Sequence, residues 1–242
     1  MRILVNADDF GLTKTSTDAI LECFKKGLIS TTTMVANGEY FLYALDKVKG
    51  TQFIDKIGIH INLTEGKPLT NGISKNKKFC DSGGNFICYP YRYARLNKND
   101  KQNVYDEIEA QFDRIIKSGI KIHHVDSHHH VHNSFRILPI VLKIMKDKNV
   151  FLIRRPRNAG KIILLKRVYK FYINLKIRKY LYSNYMGSLD DFELIKNKRF
   201  DKTFEIMVHP DYNGSNELID RDNGDYNKPT GTPFNHSYNI IK

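Results

Sequence analysis

The stretch "RILVNADDFG", residues 2 to 11, decides how the rest of the chain is read. Its first six residues are apolar and β-branched enough for a buried strand, and the run ends on paired carboxylates, Asp8 and Asp9. Turn chemistry follows in "DFGLTKTS". Ala19, Ile20, Cys23 and Phe24 then recur at helical spacing before a stop at Gly27. The pattern repeats: "STTTMVANG" reads as a second strand, "YFLYALDKVKG" as a helix closing at Gly50, and "KIGIHINLT" as a third strand centred on His60. Such alternation specifies parallel βα units and argues against an all-β or all-α domain.

From Lys67 to Asp100 the chain is rich in Gly, Asn, Lys and Pro without a clean period, and reads as a long loop or small insertion over a site. An amphipathic helix then places Val104, Ile108, Phe112, Ile115 and Ile116 on one face, with Gly119 after it. "IKIHHVDSHHHVH" begins as a strand and ends in a histidine cluster. "RILPIVLKIMKDK" reads as a helix, "NVFLIRR" as a strand, residues 161–182 as a basic helical stretch, and "TFEIMVHPD" as a strand ending at His209. The useful regularity is positional. Asp8 and Asp9, His60, Asp126 with His128, Arg154 and His209 all fall in or just past the end of a predicted strand. That edge is where α/β barrels and open parallel sheets build active sites.

Bulk properties exclude several classes. At 242 residues, 41% hydrophobic and 27% charged, the chain suits one large domain or two small ones and is neither fibrous nor disordered. No apolar run reaches the roughly 18 residues of a membrane span. Acidic residues at positions 8 and 9 come too early for a signal-peptide core, so a cytoplasmic protein is expected. Cys23, Cys80 and Cys88 form no CxxC clip; Cys23 belongs to a helix core, and a Cys80–Cys88 disulfide is disfavoured in a reducing compartment. The net charge of +13 is unevenly spread. Between Lys148 and Ser188 eleven Lys and Arg occur with no acidic residue, interleaved with Tyr169, Phe171, Tyr172, Tyr180 and Tyr182. Such a segment suits nucleic acid, anionic lipid or an acidic glycan, although a solvated lysine-rich helix face is the plainer explanation.

Adjacent carboxylates repel, so the Asp8–Asp9 pair is tolerable where a cation binds one or where one takes a proton; alternatively Asp9 caps the following helix. His60 shares a strand face with Gly58 and Asn62, opposite Ile59 and Ile61. Alone it is a core histidine, and beside a carboxylate pair it becomes a candidate ligand. In "VDSHHHVH", residues 125 to 132, extended backbone puts Asp126, His128 and His130 on one face and Ser127, His129 and Val131 on the other. The histidines outside a metal's reach are then left to bond backbone, carboxylates or substrate. His209 offers a proton donor near neutral pH, and Arg154 a planar fork that orients a carboxylate, or simply one member of a basic run. One or two Asp and two His from three strand ends suit Zn, Mn, Fe or Co better than Mg, and such a site activates water and polarises a carbonyl.

The blocks "ILVNADDFGLTKTSTDAILECFKKGLISTTTMVANG", "IGIHINLTEGKPLT", "HHVDSHHHVH" and "EIMVHPDY" run in this order from residue 3 to about 212. Together they resemble the YdjC-like family of carbohydrate deacetylases, which includes the chitooligosaccharide deacetylases. The resemblance implies an α/β fold of glycoside hydrolase/deacetylase type, a single-domain, incomplete or distorted (β/α) barrel over residues 1–242. It implies one divalent metal ion, often described as magnesium, and removal of an N-acetyl group from an acetylated amino sugar or oligosaccharide. Carried over by motif, Asp9, His60 and His128 are the metal ligands and Asp8 the general base. His209 then protonates the departing amine, while Asp126, His130 and Arg154 support the site or touch substrate. A homodimer is consistent with the family, and no specific nucleic-acid partner is expected. The chain departs from the family's pattern in its basic segment 148–188 and in the tail after residue 212. Two other classes stay open: a hydrolase of another bond such as a phosphoester, using the same metal and water, and a polyanion-binding protein with a vestigial site.

Overall fold

The computed structural model describes residues 2–88, 95–160, 163–181, 183–194 and 202–223. Six strands, β1 (Arg2–Phe10), β2 (Thr31–Met34), β3 (Ile57–Ile61), β4 (Val125–Ser127), β5 (Tyr185–Gly187) and β6 (Thr203–Val208), form one curled sheet. Its order is β4-β3-β2-β1-β6-β5 and every pairing is parallel. β1 lies near the middle, in ladder with β2 on one side and β6 on the other, which is why its run is buried almost throughout. Helices α1 (Lys14–Lys25), α2 (Phe41–Val48), α3 (Asn71–Ser74), α4 (Lys98–Lys117), α5 (Leu138–Asp147), α6 (Leu164–Ile177) and α7 (Leu189–Glu193) connect the strands. A short antiparallel ribbon, β7 (Pro210–Tyr212) with β8 (Leu218–Asp220), follows β6. Among the described residues no helix is long and apolar enough to cross a membrane.

The helices start and stop where local chemistry directs. Thr13 caps α1 in a reciprocal box with Ser16, Ala19, Ile20, Cys23 and Phe24 are buried, and Gly27 adopts φ +68° after the end. Asp9 therefore does not cap this helix, and its carboxylate is free for other work. Asn97 and Asp100 form the equivalent box on α4, which buries Val104, Ile108, Phe112 and Ile115. Ile116 is 41% exposed, a correction to the expected face: one residue beyond Ile115 the helix has turned by about 100°. All three cysteines are free, with Cys23 in the core.

Two strand expectations need correction. "NVFLIRR" makes no regular strand; only Ile153 pairs, through isolated parallel bridges to Val125 and to Leu181, while Phe151 and Leu152 are exposed. The sheet is thus barrel-like, and among the described residues no complete barrel of regular strands is formed. Residues 67–88, within the segment expected as a long loop or small insertion, supply α3, a Cys80–Phe86 bridge and the buried side chains Ile73, Phe79 and Phe86, and α4 begins at Lys98. Buried Glu107 pins this segment by accepting from the backbone N–H of Leu69 and Thr70 and from Thr70 Oγ1 at 2.8–3.0 Å. The strand expected to begin at Ile120 and to give way to the histidine cluster is in ladder only from Val125 to Ser127. The basic helix expected over residues 161–182 is α6, whereas β5, α7 and the β7–β8 ribbon have no counterpart in the pattern. The tail after Asn223 lies outside the described residues.

Close packing behind the sheet edge gives one stability prediction. A Cβ on Gly38 would meet the carbonyl oxygen of Gly11 at 2.1 Å and Leu12 Cα at 3.1 Å, on the loop that carries the chain away from Asp9. Backbone must move to relieve such overlap, so Gly38→Ala is expected to cost about 1–3 kcal/mol. An unchanged urea midpoint would show that the loop gives way freely.

Candidate metal centre

The C-terminal ends of β1, β3 and β4 bring Asp8, Asp9, His60, Asp126 and His128 together, all at most 7% exposed. In a regular strand Asp8 and Asp9 point to opposite faces. Asp9 instead takes φ +70° and the ladder to β2 shifts between Ala7 and Phe10, so both consecutive carboxylates reach the same cluster. A non-glycine residue held there is strained, the kind of departure that accumulates at functional sites. Asp9 Oδ1 lies 2.8 Å from His128 Nδ1 and 3.2 Å from His60 Nε2, and Arg221 Nη2 donates to Oδ2 at 2.7 Å.

Potential ligand atoms of Asp9, His60 and His128 lie within 4.8 Å of one another, and an overlapping group joins Asp8, His60 and Asp126. The first group fits a cation better. His60 Nδ1 donates to Asp126 Oδ1 at 2.7 Å, which fixes the ring, while its buried Nε2 faces Asp9 Oδ1 at 3.2 Å, poorly aligned for a strong hydrogen bond. A buried imidazole nitrogen braced from behind by a carboxylate and aimed at a second carboxylate is the arrangement that metal-binding histidines use.

Behind these groups lies a charge network. Arg154, completely buried, donates from Nη1 and Nη2 to Asp8 at 2.6 and 2.7 Å and from Nε to Glu205 at 2.6 Å, with Nη2 also 2.8 Å from Asp126. Asn6 Nδ2 donates to Asp8 at 2.8 Å, and Thr33 Oγ1 to Asp126 at 3.0 Å. Burial pushes the Asp8 carboxyl up, but the charge and hydrogen bonds of Arg154, helped by His60 and His209, outweigh it and hold Asp8 well below the usual carboxylate range. Asp9 is likewise lowered: burial raises it, and the hydrogen bonds and charges of His128 and His60 win. For His60 burial acts downward, and the charge and hydrogen bond of Asp126, with Asp9 and Asp8, carry it up to about 10.

His209 enters from the end of β6, with Nε2 3.9 Å from Asp8 Oδ2 and Nδ1 3.0 Å from Asp222. Burial lowers its affinity for a proton, and Asp222, Asp8 and Asp9 more than reverse this, to about 9. A protonated imidazole thus faces an ionised carboxylate across the edge of the site.

Not every expected residue arrives. The backbone leaves extended geometry at His128, with φ +48° at His129 and +55° at His130, so the expected face of Asp126, His128 and His130 stops at His128. His130 instead meets the His132 ring edge-on at 6.4 Å. Buried His132 takes Ser127 Oγ on one nitrogen and donates from the other to the Arg154 carbonyl at 3.2 Å, bracing the backbone that carries the guanidinium. Glu205, Asn6, Thr33, Glu65 (3.0 Å from His128 Nε2), Arg221 and Asp222 were not singled out from the pattern. A signal existed for two of them. Glu205 is the one acid inside the apolar run "TFEIMV", and Asn6 shares strand parity with Asp8.

Fold and site together define a barrel-like α/β protein with a carboxylate–imidazole cluster at the C-terminal edge of its parallel sheet. The chain belongs to the YdjC-like protein family, whose model matches residues 2–238. It is 32% identical over 213 residues to a carbohydrate deacetylase of Oceanobacillus iheyensis, covering 88% of this chain and 86% of that one. A carbohydrate deacetylase of Clostridium beijerinckii is 30% identical over 217 residues, with 88% and 82% covered. A solved crystal structure from Enterococcus faecalis V583, named for cellobiose-phosphate cleavage, superposes with a TM-score of 0.69 at 26% identity, covering 88% of this chain and 82% of that one.

Proposed function

We propose that this chain is a cytoplasmic, metal-dependent carbohydrate N-deacetylase, one domain over residues 1–242 and a homodimer, that frees acetate from an acetylated amino sugar or oligosaccharide. The observation that carries the reading is the convergence of Asp9, His60 and His128 beside an Asp8–His209 pair 3.9 Å apart. The names of the relatives supply the substrate class.

Asp9, His60 and His128 would hold one divalent ion: magnesium by family resemblance, with zinc, manganese or cobalt better suited to two imidazoles. Once bound, the ion supplies positive charge that acidifies a water and polarises the acetamide carbonyl. The remaining work falls to side chains. Asp8 takes the proton from water as its oxygen bonds to the acetyl carbon, and Arg154 keeps Asp8 ionised and fixed in direction. His209 gives its proton to the amide nitrogen as the C–N bond breaks, so acetate and a free amine leave together. Asp126 orients His60, and Arg154 touches carboxylates on three sides, which makes both positioning residues.

Acetate release from N-acetylglucosamine oligomers, abolished by a chelator and restored by divalent metal, is the expected result. Phosphate release without acetate would move the reading to a phosphoester hydrolase, the alternative favoured by the sugar-phosphate name of the Enterococcus structure. Salt-sensitive polyanion binding without turnover, unmoved by His60→Ala, would make the site vestigial.

A pH prediction follows from His60. Without an ion its ring holds both protons up to about pH 10, and a ligand nitrogen must give one up. Metal affinity is therefore expected to rise about tenfold per pH unit between pH 6 and 9. Titration calorimetry in buffers of different ionisation enthalpy should show about one proton released per ion; no release would remove His60 from the ligand set.

A further inference from the structure

Helix α6 turns toward solvent the kind of face that helices of globular proteins turn inward. Leu164, Leu165, Val168, Phe171, Tyr172 and Leu175 are all exposed, Leu164 at 74% and Leu165 at 80%. At 100° per residue they form one stripe about 120° wide. The helix rests on the core through Ile173 and Ile177, the two residues it buries. Arg167 borders one edge of the stripe and Lys176 the other, Arg178 and Lys179 follow at the C-terminal end, and no acidic residue occurs between Lys148 and Ser188. The patch continues off the helix. Tyr169 donates through its hydroxyl to the Asn133 carbonyl at 2.7 Å and accepts from the Phe135 N–H at 3.2 Å, and Phe135 is itself 46% exposed.

Charge selects the occupant. Self-association through an isologous contact sets a surface against its own copy, so these basic edges would meet one another with no acidic residue in the segment to pair them. An anionic phospholipid surface meets both requirements: acyl chains and headgroup carbon receive the stripe, and phosphates receive the Lys and Arg. Tyrosine rings sit readily at headgroup depth, and long basic side chains reach outward from a buried stem. We propose that α6 lies in the plane of an anionic lipid surface and makes this a peripherally membrane-bound protein, held by the Leu164–Leu175 stripe and its basic borders.

The test mixes the full chain with vesicles of phosphatidylcholine alone or of phosphatidylcholine with phosphatidylglycerol. Co-sedimentation with the mixed vesicles only, weakening as salt is raised, is expected. Arg167→Gln with Lys176→Gln should weaken binding about fivefold for each charge removed, and Leu165→Ser with Phe171→Ser should abolish it. All four positions are exposed, so circular dichroism and melting temperature should stay at the wild-type values. Three results overturn the proposal: wild-type protein that ignores anionic vesicles, binding that survives Leu165→Ser with Phe171→Ser, or a dimer in analytical ultracentrifugation that those substitutions dissociate. The last would show that a second copy covers the stripe.

Discussion

Arg154→Met is expected to destabilise the fold by about 3–5 kcal/mol, the range for breaking a buried ion pair by removing one partner. The side chain is completely buried and touches Asp8, Asp126 and Glu205, so its loss leaves three buried carboxylates without their shared cation. For a domain of this size such a change lowers the melting temperature by about 6–20 °C. The deficit should also depend on pH in a definite direction. In the wild type Asp8 sits below its unfolded value, so its contribution is present above pH ~3.9 and fades only as acid protonates the folded carboxylate. Without the guanidinium only the charges of His60 and His209 oppose burial at Asp8, so its carboxyl rises and the variant's native state takes up a proton as pH falls from neutral toward ~4. Its deficit should therefore be largest at neutral pH and shrink toward pH ~4. Arg154→Lys keeps the charge but loses the fork that reaches two carboxylates at once, and should fall between. A methionine variant within 1 kcal/mol of wild type at pH 7, which is about the median worth of an exposed pair, would mean that the network is not holding the sheet edge together.

Much of this site is legible in the sequence, because parallel strands sharing a sheet present their C-terminal ends on one edge. Placing strand ends at Asp8, His60, Asp126 and His209 thus amounts to placing those residues together. The failures have a common physical origin. Strand parity assumes extended backbone, and the site departs from it at the residues that do the gathering: Asp9 at φ +70° adds a second carboxylate to one edge, and His129 and His130 at positive φ remove His130 from it. Arg154 read equally well as part of a surface basic run, because a sequence shows the charge and not the three acids that bury it, contributed by β1, β4 and β6. Ile153 meets its neighbours at single bridges only, so no run of alternation marks it correctly. Short elements such as α7 and the β7–β8 ribbon have too few residues to show a period at all.

Asp8→Asn is expected to lower kcat for acetate release about 100- to 10,000-fold, the usual span for losing a general base, while metal stays bound. The substitution is nearly isosteric, so the cavity is kept. Its cost is electrostatic: the new amide NH2 is a donor facing a guanidinium nitrogen that now donates to Asp8, a mismatch of about 1–3 kcal/mol. The melting temperature should therefore be measured alongside turnover, at a temperature where the variant is folded. The decisive comparison is with metal content, because His60 belongs to two overlapping groups. If the ion sits among Asp9, His60 and His128, Asp8→Asn retains it and loses only turnover. If it sits among Asp8, His60 and Asp126, the same substitution loses the ion as well, and Asp126→Asn does likewise. A folded Asp8→Asn protein that binds metal and keeps more than a tenth of wild-type turnover would take the proton-accepting role away from Asp8. Asp126 would then be a candidate acceptor, although its Oδ1 is engaged by His60 and its Oδ2 is shared by Thr33, Arg154 and Asn6. Among the described residues Asp8 takes side-chain hydrogen bonds from Arg154 and Asn6 and faces His209, and for that geometric reason it is the better base.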